Sequence, residues 1–264
     1  MRALLARHDL APRRAFGQNF VADPNTVRRI ARLSGVGPGD AVVEIGAGLG
    51  SLTLALVETG ARVVAVEVDR GLVPVLAEVL AGSGATVVAG DAAELDWDDV
   101  LAGARSWALV ANLPYNVAAP LVLDLLRDVP AITSMLVMVQ REVGERLAAP
   151  PGDPAHGIPS VLVAYHGRAE VVGRVPPSVF HPVPRVESVL VRIDRHATPP
   201  VDVPLAEIEP LVRAAFGQRR KMLRRSLAGR LDNAAFSAAE VDPTRRPETL
   251  RLEEWARLAA SSSL

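Results

Sequence analysis

Asn112-Leu113-Pro114-Tyr115 is the segment whose residue types could act most directly on a substrate. An exocyclic amine on an aromatic base is a poor nucleophile, because its lone pair is delocalised into the ring. The amide oxygen of Asn112, with a backbone carbonyl held by the rigid Pro114 segment, can accept the N–H protons of such an amine, and Tyr115 can stack on the base. The alternative is a turn at the end of a strand, with Tyr115 as a packing residue.

The segment 44–50, EIGAGLG, combines three glycines with an expected passage from a strand into a helix. Glycines let the chain turn tightly and let a ligand approach the backbone, and the start of the helix offers unpaired N–H groups. The spacing of Gly46, Gly48 and Gly50 fits G-x-G-x-G and differs from the G-x-G-x-x-G of dinucleotide-binding proteins. A tight turn that binds no ligand is the alternative.

Two carboxylates follow at the ends of the next strands along the chain. Glu67 can accept both hydroxyls of a ribose, and Asp91 can accept from the exocyclic amine of an adenine ring. Because the carboxyl ends of parallel strands form one crevice, the glycine turn and these two acids together predict a cofactor that contains adenosine. Taken singly, Glu67 fits a solvated acid at a strand end as well.

Short apolar runs that alternate with helical patterns supply the elements on which these residues lie. Runs that are apolar throughout are typical of parallel strands covered on both faces, so we predict a doubly wound, Rossmann-like α/β fold. Two further runs, 160–175 and 188–196, have no good helix between them and predict an antiparallel addition to the sheet edge. The predicted parallel strands are 41–45, 62–68, 86–90, 107–112 and 134–140.

A second domain is predicted after the Pro-rich stretch 197–204. Beyond it the sequence carries only helical patterns. We therefore place a domain boundary near residue 200, between a sheet domain at 1–199 and a small all-helical domain at 200–264. The predicted helices of the second domain are 205–216, 218–231 and 250–260.

The composition narrows the class of protein further. With 264 residues, 49% of them hydrophobic, the chain is globular rather than disordered or fibrous. It has no cysteine, which excludes disulfides, thiolate zinc sites and cysteine nucleophiles, and its histidines lack metal-binding spacing. Lys+Arg 29 against Asp+Glu 30 gives a net charge of -1, so a polyanion would need a local basic face. Without a signal-peptide pattern or a membrane-spanning run, we expect a soluble, cytoplasmic protein.

Four motifs together resemble the rRNA adenine N6-dimethyltransferase family. They are ordered and spaced as in that family from about residue 14 to the end of the chain. The resemblance implies S-adenosylmethionine as methyl donor, S-adenosylhomocysteine as product, no metal, and transfer of two methyl groups to N6 of an adenine. The motifs are FGQNF at 16–20, NLPYN at 112–116, FHPVPRVES at 180–188 and FGQRRK at 216–221.

The resemblance also implies roles for individual residues. Asn112 and Tyr115, in the catalytic segment 112–115, would hold the target adenine. Phe180 looks like a second aromatic of the base pocket, with a loop anchor in the core as its alternative. Since the sulfonium donor is already activated, these residues would align the amine, exclude water and flip the adenine out. Cofactor contacts are implied for Asn19, Val21, Gly46 (methionine part), Gly48, Glu67 (ribose), Asp91 (adenine) and Asn112.

The predicted helix 218–231 is strongly basic, and no acid lies between Arg213 and Arg230. A localised basic helix in a protein of balanced charge is a plausible contact for RNA phosphates. A solvated helix face, the usual meaning of a charge run, is the alternative. The predicted RNA contacts are Arg219, Arg220, Lys221, Arg224 and Arg225.

Within the family, Leu113 and the FGQRRKMLRRSL segment look more like the housekeeping branch, which modifies adjacent adenosines near the 3′ end of small-subunit (16S) rRNA. The expected partner is then ribosomal RNA in an immature small subunit, met during ribosome assembly by a monomeric enzyme without membrane contact. One alternative is the resistance branch, which methylates an adenosine of large-subunit rRNA. Another is an RNA-binding assembly factor on the same scaffold.

Overall fold

A computed structural model describes residues 2–13, 17–115 and 117–262 of the chain. Phe16 and Asn116, which belong to two of the motifs, lie outside the described residues. The strands are β1 (Phe20–Val21), β2 (Ala41–Ile45), β3 (Arg62–Glu67), β4 (Thr86–Ala89), β5 (Trp107–Asn112), β6 (Ile132–Gln140), β7 (Gly167–Val175), β8 (Phe180–His181) and β9 (Ser188–Arg195).

The helices alternate with the strands in the first half of the chain and dominate its last part. The first six are α1 (Arg2–Arg7), α2 (Pro24–Ser34), α3 (Ser51–Val57), α4 (Val73–Val79), α5 (Trp97–Val100) and α6 (Ala118–Asp128). The others are α7 (Arg141–Ala148), α8 (Ile158–His166), α9 (Leu205–Phe216), α10 (Leu223–Ser226), α11 (Asn233–Ala238) and α12 (Leu252–Ser262). In the part of the chain that the structure describes, no helix is long and apolar enough to span a bilayer.

The central sheet has the strand order β4-β3-β2-β5-β6-β9-β7. The first five of these strands pair in parallel, and β9 pairs with β6 antiparallel. The order along the sheet reverses at β2, which lies between β3 and β5, and such a switch point opens a crevice at the carboxyl ends of the strands. The predicted doubly wound fold is confirmed, and β9, the second of the two further runs, adds to the sheet in the predicted antiparallel orientation.

The parallel strands are apolar on both faces because both faces are covered. Val42 and Val43, neighbours on β2 that point to opposite faces, are fully buried. The first helix beside the sheet, α2, is capped by Asp23, whose carboxylate accepts from the backbone N–H groups of Asn25 and Thr26. It ends at Gly35, which has a left-handed backbone. These two signals fix where α2 begins and ends, and the helix packs against α3, β5 and β6.

The prediction that 160–175 forms one extended run is wrong in its first half. Residues Ile158–His166 form α8, and the strand begins only at Gly167. The helix start is encoded locally, because Pro159 lies in the first turn and the Ser160 hydroxyl accepts from the backbone N–H of Gly157 at 2.9 Å. The helix is apolar on most sides, and its pattern therefore resembles that of a buried strand.

The chain divides into two compact units, Met1–Gly144 with Glu170–Asp194 and Glu145–Ala169 with Arg195–Leu264. The last segment begins close to the predicted boundary near residue 200. The second unit also takes in Glu145–Ala169, which the sequence had suggested to be part of the sheet domain. Its own core is built around buried side chains of α9, α11 and α12, among them Ile208, Phe236 and Trp255.

The prediction of a continuous basic helix at 218–231 is also wrong. Only Leu223–Ser226 is helical, as α10, and turns flank it on both sides. Met222 has an extended backbone with ψ 152, which interrupts a helix. The N–H groups of Leu223 and Arg224 donate to the carbonyls of Arg245 and Pro243, so a neighbouring loop satisfies this backbone.

Candidate active site

A cavity at the carboxyl ends of β2, β3 and β5 brings together most of the residues singled out from the sequence. Its walls come from the N-terminal segment, the glycine turn, the end of β3 and the NLPY segment. The residues that line it are Gly17, Gln18, Asn19, Phe20, Gly46, Gly48, Glu67, Val68, Leu72, Asn112, Leu113, Pro114 and Tyr115. Four separate stretches of chain therefore meet at the crevice predicted from the strand order.

The glycine turn presents bare backbone to this cavity. Gly46 and Gly48 have φ of 75° and 59°, a left-handed conformation that other residues rarely adopt. A Cβ atom at Gly48 would lie 2.9 Å from Cε1 of Phe20, so the turn also requires the absence of a side chain there. The nearest neighbour of a Cβ at Gly46 would be the Asn112 carbonyl oxygen at 3.7 Å, which leaves the cavity side of that turn open.

Glu67, at the end of β3, connects the glycine turn to the end of β3 through hydrogen bonds of its carboxylate. The side chain is buried, its Oε2 atom accepts from the backbone N–H of Gly48 at 2.7 Å, and its Oε1 atom accepts from that of Asp69 at 2.8 Å. Burial raises the pKa of Glu67 above its ordinary value, and the two backbone donors act in the opposite direction. Each carboxylate oxygen has a second lone pair, so Glu67 can still accept from hydroxyl groups in the cavity.

Asn112, at the end of β5, is held by the N-terminal segment. Its Nδ2 atom donates to the backbone carbonyl of Asn19 at 2.9 Å, and the Asn19 side chain in turn donates to the carbonyl of Gly17 at 3.1 Å. With its amide nitrogen engaged, Asn112 presents its Oδ1 atom as an acceptor. The following residue, Leu113, is buried and donates its N–H to the Met138 carbonyl at 3.1 Å, which fixes the segment to β6.

Tyr115 is half-buried, and its phenol oxygen lies 2.8 Å from the hydroxyl of Ser188, a fully buried residue at the start of β9. Burial raises the pKa of Tyr115 above its ordinary value, so the phenol stays neutral at physiological pH. The bond fixes the orientation of the ring beside Asn112 and Pro114. The Pro114 carbonyl already accepts from the N–H of Val117 at 3.2 Å.

Comparison with known proteins places the chain in a family. Residues 10–263 match the family model described as ribosomal RNA adenine dimethylase. The chain belongs to the ribosomal RNA adenine dimethylase family. This confirms the resemblance drawn from the four motifs and, with it, the predicted class of enzyme.

Curated relatives of this dimethylase are similar over nearly their whole length. The ribosomal RNA small subunit methyltransferase A of Kineococcus radiotolerans is 48% identical, covering 98% of this chain and 89% of the relative. The protein of the same name from Leifsonia xyli subsp. xyli is 50% identical, covering 95% of this chain and 92% of the relative.

Two solved structures share the fold of this dimethylase. The 23S rRNA methyltransferase ErmE has a TM-score of 0.73 at 26% identity, covering 93% of this chain and 100% of that one. A dimethyladenosine transferase from Plasmodium falciparum has a TM-score of 0.74 at 21% identity, covering 90% and 95%, which supports the fold alone.

Three residues that the resemblance assigned to the site do not line the cavity at the carboxyl ends of β2, β3 and β5. Phe180 is 2% exposed and packs in a hydrophobic cluster, where its strand pairs with that of Val21. Val21 lines a smaller neighbouring cavity with Asn112 and Gly46. Asp91 is exposed, and its carboxylate caps a turn by accepting from the Ala93 N–H at 3.0 Å. Their roles in binding stay predictions.

Sequence reasoning did not single out Asp69, which organises the N-terminal wall of the cavity. This buried carboxylate accepts from Gln18 Nε2 at 2.9 Å and lies 3.3 Å from Arg13 Nη1. It also accepts from the N–H of Gly71 at 2.9 Å. The sequence around Asp69 does not indicate these contacts, because Arg13 and Gln18 lie more than fifty residues away in the chain.

Glu44, on β2 just before the glycine turn, is a residue for which the sequence predicts no role. It is 2% exposed, lines the smaller cavity, and its Oε2 atom has no hydrogen-bond partner among the described residues. Burial raises the pKa of Glu44 to about 8, the nearby Thr53 hydroxyl acts in the opposite direction, and the negative charge of Glu67 adds to the rise. At neutral pH the dimethylase therefore carries a largely protonated acid beneath its glycine turn.

The predicted phosphate contacts of the dimethylase are exposed, but they are not equivalent. Arg219 donates from Nη2 to the Pro154 carbonyl at 2.5 Å, and its Nε atom lies 3.8 Å from Glu248 Oε2. Lys221 donates to the side chain of Gln218 at 2.7 Å. The remaining predicted contacts, Arg220, Arg224 and Arg225, are exposed on a segment whose apolar positions Leu223 and Leu227 are buried.

Among residues 2–13, 17–115 and 117–262, no cluster of three or more His, Asp or Glu side chains could hold a metal ion.

Proposed function

We propose that this dimethylase transfers two methyl groups from S-adenosylmethionine to N6 of adenosines in small-subunit rRNA. The observation that carries the proposal is the arrangement of Asn112, whose amide nitrogen is engaged by the Asn19 carbonyl while its oxygen is left to accept. An acceptor fixed beside an aromatic ring, Tyr115, fits an exocyclic amine on a planar base. The related small-subunit methyltransferases, 45–50% identical, support the choice of rRNA.

The cavity fits S-adenosylmethionine in the chemistry of its walls. Gly46 offers backbone without a side chain, as a ligand that lies against the turn requires. Glu67 keeps free lone pairs for the two hydroxyls of a ribose, while Gly48 and Asp69 hold its carboxylate in place. When bound there, S-adenosylmethionine supplies a methyl group on a positively charged sulfur, which is reactive without further activation.

The residues of the cavity then have a positioning task. Asn112 Oδ1 accepts an N–H of the adenine amine, which draws electron density toward the nitrogen and holds its lone pair in one direction. Tyr115, with its hydroxyl bonded to Ser188, provides a fixed face for the base. Leu113 is buried and its N–H donates to a carbonyl of β6, and this holds the adjacent Asn112 and Pro114 in place. No strong base is required, because the amine loses its proton only after the transfer.

Recognition of the RNA would rest on the basic segment of the second unit, led by Arg220, Arg224 and Arg225. These guanidinium groups are exposed, and no acidic residue lies between them in the sequence. They can therefore bind the phosphates of a polyanion even though the chain has a net charge of -1. We also propose an immature small ribosomal subunit as the substrate particle, with the enzyme acting as a monomer in the cytoplasm and without a metal.

The test is methyl transfer from labelled S-adenosylmethionine to small and large ribosomal subunits that lack the modification, followed by nucleoside analysis. We expect dimethyladenosine in small-subunit rRNA with the wild-type protein and none with Asn112→Ala, which should still bind the particle. Label confined to large-subunit rRNA would replace the proposal by a 23S rRNA target, as in the structurally similar 23S rRNA methyltransferase ErmE. Binding of the subunit without label on either RNA would favour an assembly factor.

A further inference from the structure

The loop 182–187, between β8 and β9, carries the most exposed of the large hydrophobic side chains that the structure describes. Val183 is 64% exposed, and Val186 in the same loop is 44% exposed. A side chain this exposed contributes little to the core, so it is available to contact a binding partner. The inference below rests on the proposed function.

Both ends of the loop are held by residues of the catalytic cavity. On one side His181 pairs with Phe20, a cavity residue, in the two-stranded sheet of β1 and β8. On the other side Ser188 bonds to the hydroxyl of Tyr115 at 2.8 Å. Val183 is therefore two residues from His181 and five residues from Ser188, and each of these contacts a residue that lines the cavity.

The loop is also stiff. Val183 stands between Pro182 and Pro184, each of which fixes its own φ, and a residue before proline is restricted to extended conformations. The loop base is fixed further, because Arg141 N–H donates to the Glu187 carbonyl at 3.0 Å. An apolar side chain on such a rigid loop loses little conformational entropy when it binds a partner.

The charges of the loop fit a nucleic acid. Its one acid, Glu187, forms an ion pair with Arg141 at 3.0 Å. Arg185, two residues after Val183, is exposed and has no ion-pair partner within residues 2–13, 17–115 and 117–262. A free cation beside an apolar tip can contact a phosphate while the tip touches bases.

We propose that Val183 inserts into the RNA stack at the position that the target adenine leaves when it turns into the cavity. An adenine within a helix must unstack before Asn112 and Tyr115 can reach it, and an apolar wedge that fills the gap offsets part of that cost. Val183 is then a positioning residue, which acts on the flanking bases and leaves the reacting amine to Asn112.

The test compares Val183→Ser with Val183→Leu on small ribosomal subunits that lack dimethyladenosine. Because the wedge acts on unstacking, we expect Val183→Ser to lower kcat about tenfold while Val183→Leu keeps it within about twofold. The dissociation constant for the subunit and the melting temperature should stay close to wild type in both variants. Val171→Ser, at a valine that is 42% exposed on β7, is the matched control and should behave as wild type.

Each other outcome overturns the proposal. Equal kcat for Val183→Ser and Val183→Leu would show that an apolar tip is not needed. Weaker binding of Val183→Ser with unchanged kcat would make Val183 an ordinary contact, to RNA or to a ribosomal protein. The wild-type reaction is measured first. If the wild-type enzyme leaves small subunits unlabelled, the proposed function itself is refuted, and this result is distinct from any difference between the variants.

Discussion

The side-chain nitrogen of Asn112 and the backbone oxygen of Asn19 lie 2.9 Å apart, although 93 positions separate the two residues in the chain. This bond decides which atom of the Asn112 amide is presented to a substrate. It also makes the N-terminal segment part of the catalytic geometry, since the orientation of Asn112 depends on where that segment lies.

Asn112→Asp keeps a side-chain oxygen that can accept a hydrogen bond but removes the amide nitrogen that donates to the Asn19 carbonyl. The variant keeps an oxygen that can accept from an amine, but its second oxygen faces the Asn19 carbonyl and is repelled by it. Because orientation is lost, we expect kcat to fall about 100-fold, with subunit binding unchanged. Single-turnover methyl transfer measures the effect. Asn233→Ala, at an exposed asparagine of α11, is the control, and an active Asn112→Asp enzyme would show that the tether is dispensable.

Tyr115 and Ser188 should act as a coupled pair. Tyr115→Phe leaves the fully buried Ser188 hydroxyl without its partner, and Ser188→Ala does the same to the phenol, so each should destabilise the fold by about 1 kcal/mol. The double variant should cost about 1 kcal/mol less than the sum of the singles, since it removes both partners. Denaturant unfolding measures the cycle. Additive losses would mean that the bond contributes nothing.

Glu44 should make the stability of the protein depend on pH. Burial raises its pKa from 4.5 to about 8, so between these values the folded state binds a proton that the unfolded state has released. Stability therefore falls as the pH rises through this window, in total by roughly 3–5 kcal/mol.

Glu44→Gln tests this dependence, because glutamine keeps the shape and stays neutral. Urea unfolding should give a flatter profile between pH 5 and 8 and a more stable variant at pH 8. Glu253→Gln, at an exposed glutamate of α12, should keep the wild-type profile. If wild type and Glu44→Gln share one slope, the carboxyl is ionised in the folded protein at neutral pH.

The basic segment should determine how strongly salt weakens binding of the subunit. Each phosphate contact adds about 0.7–0.9 to the slope of log affinity against log salt, so Arg224→Gln with Arg225→Gln should lower the slope by about 1.5. Arg213→Gln is the matched control, because Arg213 already donates to Glu209 at 2.7 Å. Filter binding between low and moderate salt measures both. Equal slopes for the double variant and wild type would place the RNA surface elsewhere.

Local pattern determined much of this fold from the sequence. The apolar runs at 41–45 and 107–112 predicted strands that the structure confirms, since continuous burial on both faces requires continuous apolar sequence. The glycines at 46 and 48 predicted a turn with bare backbone, because their conformations are closed to other residues. Where the same patterns were ambiguous, as at 158–166, the strand prediction failed.

Only the tertiary structure decided which side chains meet. Nothing near Tyr115 in the sequence indicates Ser188, and nothing near Asn112 indicates the carbonyl of Asn19, because hydrogen-bond partners far apart in the chain are chosen by the packing of whole elements. The basic segment 218–231 is another example. Its pattern predicts one continuous helix, but the N–H groups of Leu223 and Arg224 donate to carbonyls of a distant loop at 243–245. Periodicity is a property of neighbours in the chain, whereas a catalytic geometry is a property of neighbours in space.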